Sequence, residues 1–211
     1  MKTLAIDLSS AHGQVAVAAD GRVTHERKFA CDRGRGAGVF LALEDLREAW
    51  RDAGVIAVGI GPGSYNGLRA ACALANSMQM ATGARLCGAP SVCLLGVPER
   101  HYIVCGDARG GRAYRAEVRE RKICGEIGLI GYDEAAARLK TEGVAVYRIG
   151  PLPCAEYLPE AAPEASVLAL LAPELPATGP AGLQPIYLKP PHITLPRAGH
   201  GPDLQGCAPR C

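Results

Sequence analysis

Residues 55–82 read VIAVGIGPGSYNGLRAACALANSMQMAT. The first six carry no polar side chain, which marks a strand buried on both faces. Gly61, Pro62, Gly63, Ser64, Tyr65, Asn66 and Gly67 follow as a turn. Its glycines permit positive φ and close backbone approach, and the proline stiffens it. Ser64 or Asn66 is placed to cap a helix, whose free N–H groups suit an anion. Leu68, Cys72, Ala75 and the Met78-Gln79 pair then recur at helical spacing, predicting a helix over 68–81 closed by Gly83. Alanines at 70, 71, 73 and 75 keep that helix slim enough to pack closely.

Upstream, residues 2–8 read as a strand, with a second at 14–19. The Asp20-Gly21 turn leads into a third at 23–29. Three strands with short links make an antiparallel meander. Residues 31–38 are polar and glycine-rich, a loop. Val39, Leu43, Leu46, Trp50 and Ala53 then form one helical stripe, ended by Gly54 in the position where glycine is least strained. A short strand at 85–87 completes the order βββαβα. That order is the ribonuclease H-like unit of the actin, Hsp70 and sugar-kinase superfamily, so the fold class is α/β, in two lobes around a mixed sheet.

Beyond Val97 a similar pattern starts again: strands at 101–106, 112–118 and 144–149, and a short helix at 133–141 opening on Asp133 as its cap. A brief helix at 164–171 and an edge strand at 186–189 follow. The expected organisation is a first lobe at 1–97, a smaller second lobe at 98–190, and an extended Pro/Gly/Cys tail at 191–211.

A formal charge of +2, from 23 basic and 21 acidic residues, leaves no basic surplus for nonspecific nucleic-acid binding by the chain as a whole, so any RNA work would be shared with a partner. No run approaches a membrane span, and MKTLAIDLSS lacks a signal-peptide core, which predicts a cytoplasmic protein. The nine cysteines (31, 72, 87, 93, 105, 124, 154, 207, 211) include no CxxC pair and read as small buried hydrophobes; Cys207 and Cys211 are the most reactive candidates. The histidines at 12, 25, 101, 192 and 200 hold no HxxxH pair, so no metal ligands are assigned.

The glycine turn fails the common phosphate and nucleophile patterns. A P-loop ends GK[ST], and here Gly67 precedes Leu68 and Arg69; GxSxG and GxGxxG both miss by a residue. Asp7, Ser9 and Ser10 form a strand-end turn of the kind that holds magnesium-bound phosphate in actin-like ATPases, although Asp followed by small hydroxyl residues is also an ordinary turn.

GPGSYNGLR resembles GPGSFTGLR of the bacterial TsaB (YeaZ) family. LAIDLSS with VAVAADGRV resembles that family's opening hairpin, and Gly88-Ala89-Pro90-Ser91 its GVSSL segment. The stretch from Asp107 through Arg109 to Tyr114 resembles DARRGEVY, and 185–189 resembles P-x-YLR. The likeness covers residues 1 to about 118 and returns at 185–189. It departs at 32–38, where the family has a histidine and a serine or glutamine, and at Tyr65-Asn66, where Phe-Thr is common.

The resemblance implies a non-catalytic partner of the paralogous enzyme TsaD, acting with the ATPase TsaE to make N6-threonylcarbamoyladenosine at position 37 of tRNA. It implies no catalytic residue, and no cofactor of its own, ATP-Mg entering only in a complex. A turn formed by Asp7, Ser9 and Ser10 would be a vestige of the phosphate site. Gly61, Pro62, Gly63, Ser64, Gly67, Arg69, Asp107 and Arg109 would be structural. Val39, Leu43, Leu46, Leu68, Cys72, Ala75, Met78 and Gln79 are the expected seam for TsaD or a second copy; the alternative is that they face the chain's own sheet. The rival function is an active ATPase or kinase using Asp7 and the Gly61 turn. A peptidase ranks last, for want of a nucleophile–base pair.

Overall fold

The structure, a computed structural model, describes residues 1–31 and 37–188. The first sheet has strand order β3-β2-β1-β4-β5, built from β1 (Lys2–Asp7), β2 (His12–Ala19), β3 (Arg22–Ala30), β4 (Val55–Gly59) and β5 (Arg85–Ala89). The meander is antiparallel and β4 and β5 join β1 in parallel, as the βββαβα order predicts. The Asp20-Gly21 turn has positive φ at both residues, as a two-residue hairpin connection requires.

The alternation of side-chain size across this sheet decides what packs on each face. Leu4, Ile6, Val15, Val17, Ile56 and Val58 point to one side, where they meet α1 (Ala37–Asp45) and α3 (Tyr65–Thr82). Ala5, Ala16, Ala18, Ala57 and Ala89 point to the other, a shallow face against which α5 (Ala165–Leu171) lies through Ala165, Leu168 and Ala169. Burying each of the large aliphatic side chains contributes about 2 kcal/mol.

Several boundaries shift. The helix expected over 39–53 breaks at Leu46 into α1 and α2 (Arg47–Trp50), and the Trp50 indole donates to the Leu43 carbonyl at 2.7 Å. Gly54 does not adopt positive φ; its carbonyl instead accepts from Arg85 N at 2.9 Å. Helix α3 starts at Tyr65 rather than 68, because Ser64 is the cap, accepting from Gly67 N at 3.3 Å. Gly83 closes it in the left-handed conformation at φ 70°. The expectations for residues 32–36 and 189–211, including the tail and Cys207 and Cys211, lie outside the described residues.

The second sheet has the order β10-β6-β7-β8, with β9 also on β7: β6 (His101–Asp107), β7 (Arg112–Arg119), β8 (Lys122–Ile123), β9 (Gly128–Gly131) and β10 (Ala145–Ile149). The helix expected from 133 is α4 (Tyr132–Arg138); Gly131 is its cap position, and Asp133 lies in its first turn and caps nothing. A 3-10 turn, Ser91–Cys93, joins the lobes, and Val92, Cys93 and Leu95 pack with Tyr102, Val104 and Tyr114 in one buried cluster.

The second lobe does not run continuously to 190. Gln14, buried in the first sheet, donates to Pro163 O at 2.8 Å and accepts from Ala165 N at 3.2 Å, clasping the start of α5. After α5 the chain stays on the first lobe: Thr178 N donates to Leu86 O, Leu183 joins the core, and Ile186 N donates to Ile60 O. That last bond is what remains of the edge strand expected at 186–189. A polar side chain at position 14 is thus satisfied by a segment 149 residues away in sequence.

Gln14→Leu leaves the Pro163 carbonyl and Ala165 N–H buried without partners, and is expected to lower stability by about 1–3 kcal/mol. Urea denaturation reads this as a lower midpoint, with residues past 164 becoming protease-sensitive first.

Candidate functional site

Strand β1 ends inside the protein, and Asp7 with it. The Asp7 carboxyl is 1% exposed. Its Oδ1 accepts from Ser9 N at 2.9 Å and Ser9 Oγ at 2.6 Å, and its Oδ2 accepts from Ser91 Oγ at 2.8 Å. Ser91 Oγ in turn accepts from Gly61 N at 3.0 Å, and Ser91 N donates to Gly61 O at 2.7 Å. Ser64 N donates to Ser9 O at 2.7 Å. One carboxylate therefore ties together the end of β1, the glycine turn and the interlobe 3-10 turn.

The glycines of this region are explained by that knot. A Cβ at Gly59 would overlap the Asp7 carboxylate, one at Gly63 the Ser9 carbonyl, and one at Gly67 the Leu8 carbonyl. Gly61 has φ 98°, a left-handed value that favours glycine. The Gly61–Pro62 peptide is cis. The turn carries glycine because neighbouring backbone fills the space, with three of its amides, Gly61 N, Ser64 N and Gly67 N, already donating within the protein.

Burial pushes the Asp7 carboxyl above the ordinary carboxylate range, and the hydrogen bonds from Ser9 and Ser91 pull against that rise. Of the three residues of the expected phosphate turn, Asp7 and Ser9 are joined, whereas Ser10 turns away and donates to His12 O at 2.9 Å. Among the described residues no group of three or more His, Cys, Asp or Glu is placed to hold a metal ion.

A second turn of the same design closes β6. Asp107 Oδ1 accepts from Arg109 N at 2.7 Å, two residues on, as Asp7 does from Ser9 N, and also from Tyr132 OH at 2.9 Å. Arg109, Gly110 and Gly111 all have positive φ. The Tyr114 ring lies over Gly106, where a Cβ would come within 2.5–2.6 Å of it. Arg69 stands 5.3 Å from the Tyr65 ring centroid, and Tyr65 is paired with Tyr187 at 5.3 Å.

The expected partner seam divides. Val39, Leu43, Leu46, Leu68, Cys72 and Ala75 are buried in the chain's own core, as the stripe that packs α1 and α3 on the sheet. Met78 and Gln79 are half-buried. The most exposed large apolar side chains on these two helices are others: Phe40 (61% exposed) and Leu41 (65%) on α1, and Met80 (84%) on α3. Their signal was present in the sequence as apolar residues off the helical stripe. Ser91 stood out in the sequence only as the end of the Gly88–Ser91 likeness; its bond to Asp7 was missed because the two lie 84 residues apart.

No protein-family model matches the sequence, and no protein of curated function matches it. Solved structures do match in fold. A Pseudomonas aeruginosa protein described as similar to peptidase YeaZ superposes at a TM-score of 0.69 and 17% identity, over 89% of this chain and 99% of that one. YeaZ from Pseudomonas aeruginosa superposes at 0.67 and 18% identity, over the same 89% and 99%. The chain thus has the actin-like, ribonuclease H-like fold of the YeaZ structures, carried over both lobes. No helix among the described residues is long and apolar enough to cross a membrane.

Two measurements test the knot. Gly59→Ala is expected to destabilise strongly, by more than about 3 kcal/mol, whereas Gly54→Ala, with open space around its Cβ, stays within about 1 kcal/mol of the parent. Because the folded Asp7 pKa lies above its unfolded value of 3.8, the folded protein retains a proton over that interval which the unfolded chain has lost. The stabilisation is complete below pH 3.8 and is lost as pH rises through the folded pKa. The denaturation midpoint of the parent should therefore fall relative to Asp7→Asn as pH climbs above 3.8.

Proposed function

We propose that this chain is a TsaB-like, non-catalytic partner of a TsaD-like paralogue, working with a TsaE-like ATPase in N6-threonylcarbamoyladenosine modification of tRNA. The observation that carries the proposal is the exposure of Phe40, Leu41 and Met80 on the helical face of the first lobe, whose inner stripe is already committed to the core. Large apolar side chains left in solvent on helices whose other side packs on the sheet favour burial against another protein. The motif resemblance at GPGSYNGLR and at 107–114, on a YeaZ-like fold, supports a TsaD-like paralogue as that partner.

The state of the phosphate turn favours this reading over an ATPase. A lone actin-like ATPase would need the Asp7 carboxylate free to bind the water shell of a metal ion. Both oxygens instead accept from Ser9 and Ser91, and the lobes meet through the cluster around Val92, Tyr102 and Tyr114. ATP-Mg would enter only at a surface completed by the partner. A second copy of the chain competes for the same face.

Gel filtration of the purified chain with the TsaD-like paralogue from the same genome should yield a complex. Phe40→Glu with Leu41→Glu should weaken it by at least about 30-fold, the order set by two truncated interface anchors. Absence of a complex with the parent chain overturns the partner role, and micromolar binding of ATP-Mg by the lone chain in calorimetry favours the ATPase.

A further inference from the structure

Among the described residues strand β3 is an edge strand of the first sheet, and every residue along it except Glu26 and Phe29 is exposed. Its pairing with β2 is irregular. Val17 pairs with His25 and Ala18 with Val23, so Thr24 is an extra residue whose Oγ1 donates back to Val17 O at 3.1 Å. A bulge of this kind reverses the alternation of faces. Without it, Arg22 would lie opposite His25 and Arg27 in face. With it, Arg22, His25 and Arg27 share one face, that of Val15, Val17 and Ala19, their neighbours or near neighbours on β2.

Several acidic side chains of the first lobe are engaged elsewhere. Glu26 is on the opposite face, 3.6 Å from Lys28; Asp20 bonds the N-terminal amine at 2.9 Å; Glu44 and Glu48 pair with Arg47 and Arg51. Among the described residues no carboxylate lies within ion-pair distance of Arg22 or Arg27. Alternate positions on a strand face stand about 7 Å apart, a step of the same order as that between neighbouring phosphates of an extended RNA strand.

We propose that the Arg22–His25–Arg27 face of β3 is a binding surface for the phosphate backbone of an RNA strand. The two guanidinium groups bind phosphate oxygens and the imidazole adds a hydrogen bond between them. An acidic peptide added as a further strand fits less well, because the bulge interrupts the regular edge ladder that strand addition uses. The +2 net charge of the chain makes such binding local and modest rather than general. The surface belongs to the lone chain and does not depend on a TsaD-like partner, so it stands or falls apart from the partner role.

The test is fluorescence anisotropy of the full chain with a labelled twelve-nucleotide oligouridylate over a salt series. The parent chain should bind at low salt and weaken linearly on a log–log plot. Arg22→Ala with Arg27→Ala should lower affinity by roughly tenfold and reduce the slope by about 1.4, two phosphate contacts at about 0.7 each. Both residues are exposed, so circular dichroism and the denaturation midpoint should be unchanged. Arg119→Ala with Lys122→Ala, a basic pair at the far end of the second sheet, should bind as the parent does. No binding by the parent, an unchanged slope in the Arg22/Arg27 variant, or equal loss in the Arg119/Lys122 variant overturns the proposal. Displacement of the RNA by a ten-residue oligoglutamate at lower concentration than by unlabelled RNA overturns it in favour of an acidic peptide.

Discussion

The buried carboxylate of Asp7 is the constraint on which the rest of the structure depends. An isolated carboxylate taken out of water is costly, and here the cost is offset in part by Ser9 and Ser91, whose groups supply hydrogen bonds that water would have made. Those donors come from two different segments of the chain. Satisfying one side chain therefore sets the positions of the β1 end and the interlobe turn, and through Ser91 that of Gly61. The glycines at 59, 63 and 67 leave the room that this convergence occupies. The amides of Ser9, Gly61, Ser64 and Gly67 all donate within the protein, which makes the turn a knot of internal bonds.

The knot also explains how the two lobes are held. Ser91 faces the first lobe, while the carbonyls that follow it face the second: Tyr102 OH donates to Val92 O at 2.9 Å and the Arg121 guanidinium to Leu95 O at 2.5 Å. A three-residue turn is thus bonded from both sides, and the apolar cluster around Tyr102 and Tyr114 fills the junction. The return of the chain through α5 adds a second tie. Its small residues match the alanine face of the first sheet, and Gln14 bonds the polar groups at the helix start that would otherwise be left bare.

The two turns that close β1 and β6 show one local device used in two environments. Each has an Asp that accepts from the backbone N–H two residues on. Asp7 is buried and meets serines, whereas Asp107 is partly exposed and meets the phenol of Tyr132. The similarity reflects the repeated hairpin at the head of each lobe. The difference reflects what packs over it: the glycine turn and Ser91 in the first lobe, α4 in the second.

Much of the first lobe was legible in the sequence, because its signals are local and periodic. A polar-free run specified β4, Asp20-Gly21 specified a hairpin, and the 39/43/46 and 68/72/75 stripes specified two helices. Those same stripes could not say whether they faced a partner or the chain's own sheet, since amphipathic spacing records that a face is buried and not what buries it. The bulge at Thr24 and the clasp at Gln14 were invisible for a related reason: each depends on a strand or segment that arrives from elsewhere in the chain. The sequence by itself determined the elements, their order and the fold class, because hydrogen-bonding periodicity and glycine geometry act over a few residues. Only the tertiary structure decided that Asp7 is enclosed by Ser91, 84 residues away, and that Phe40, Leu41 and Met80 remain in solvent. Burial is a property of the assembled packing, and no single segment carries it.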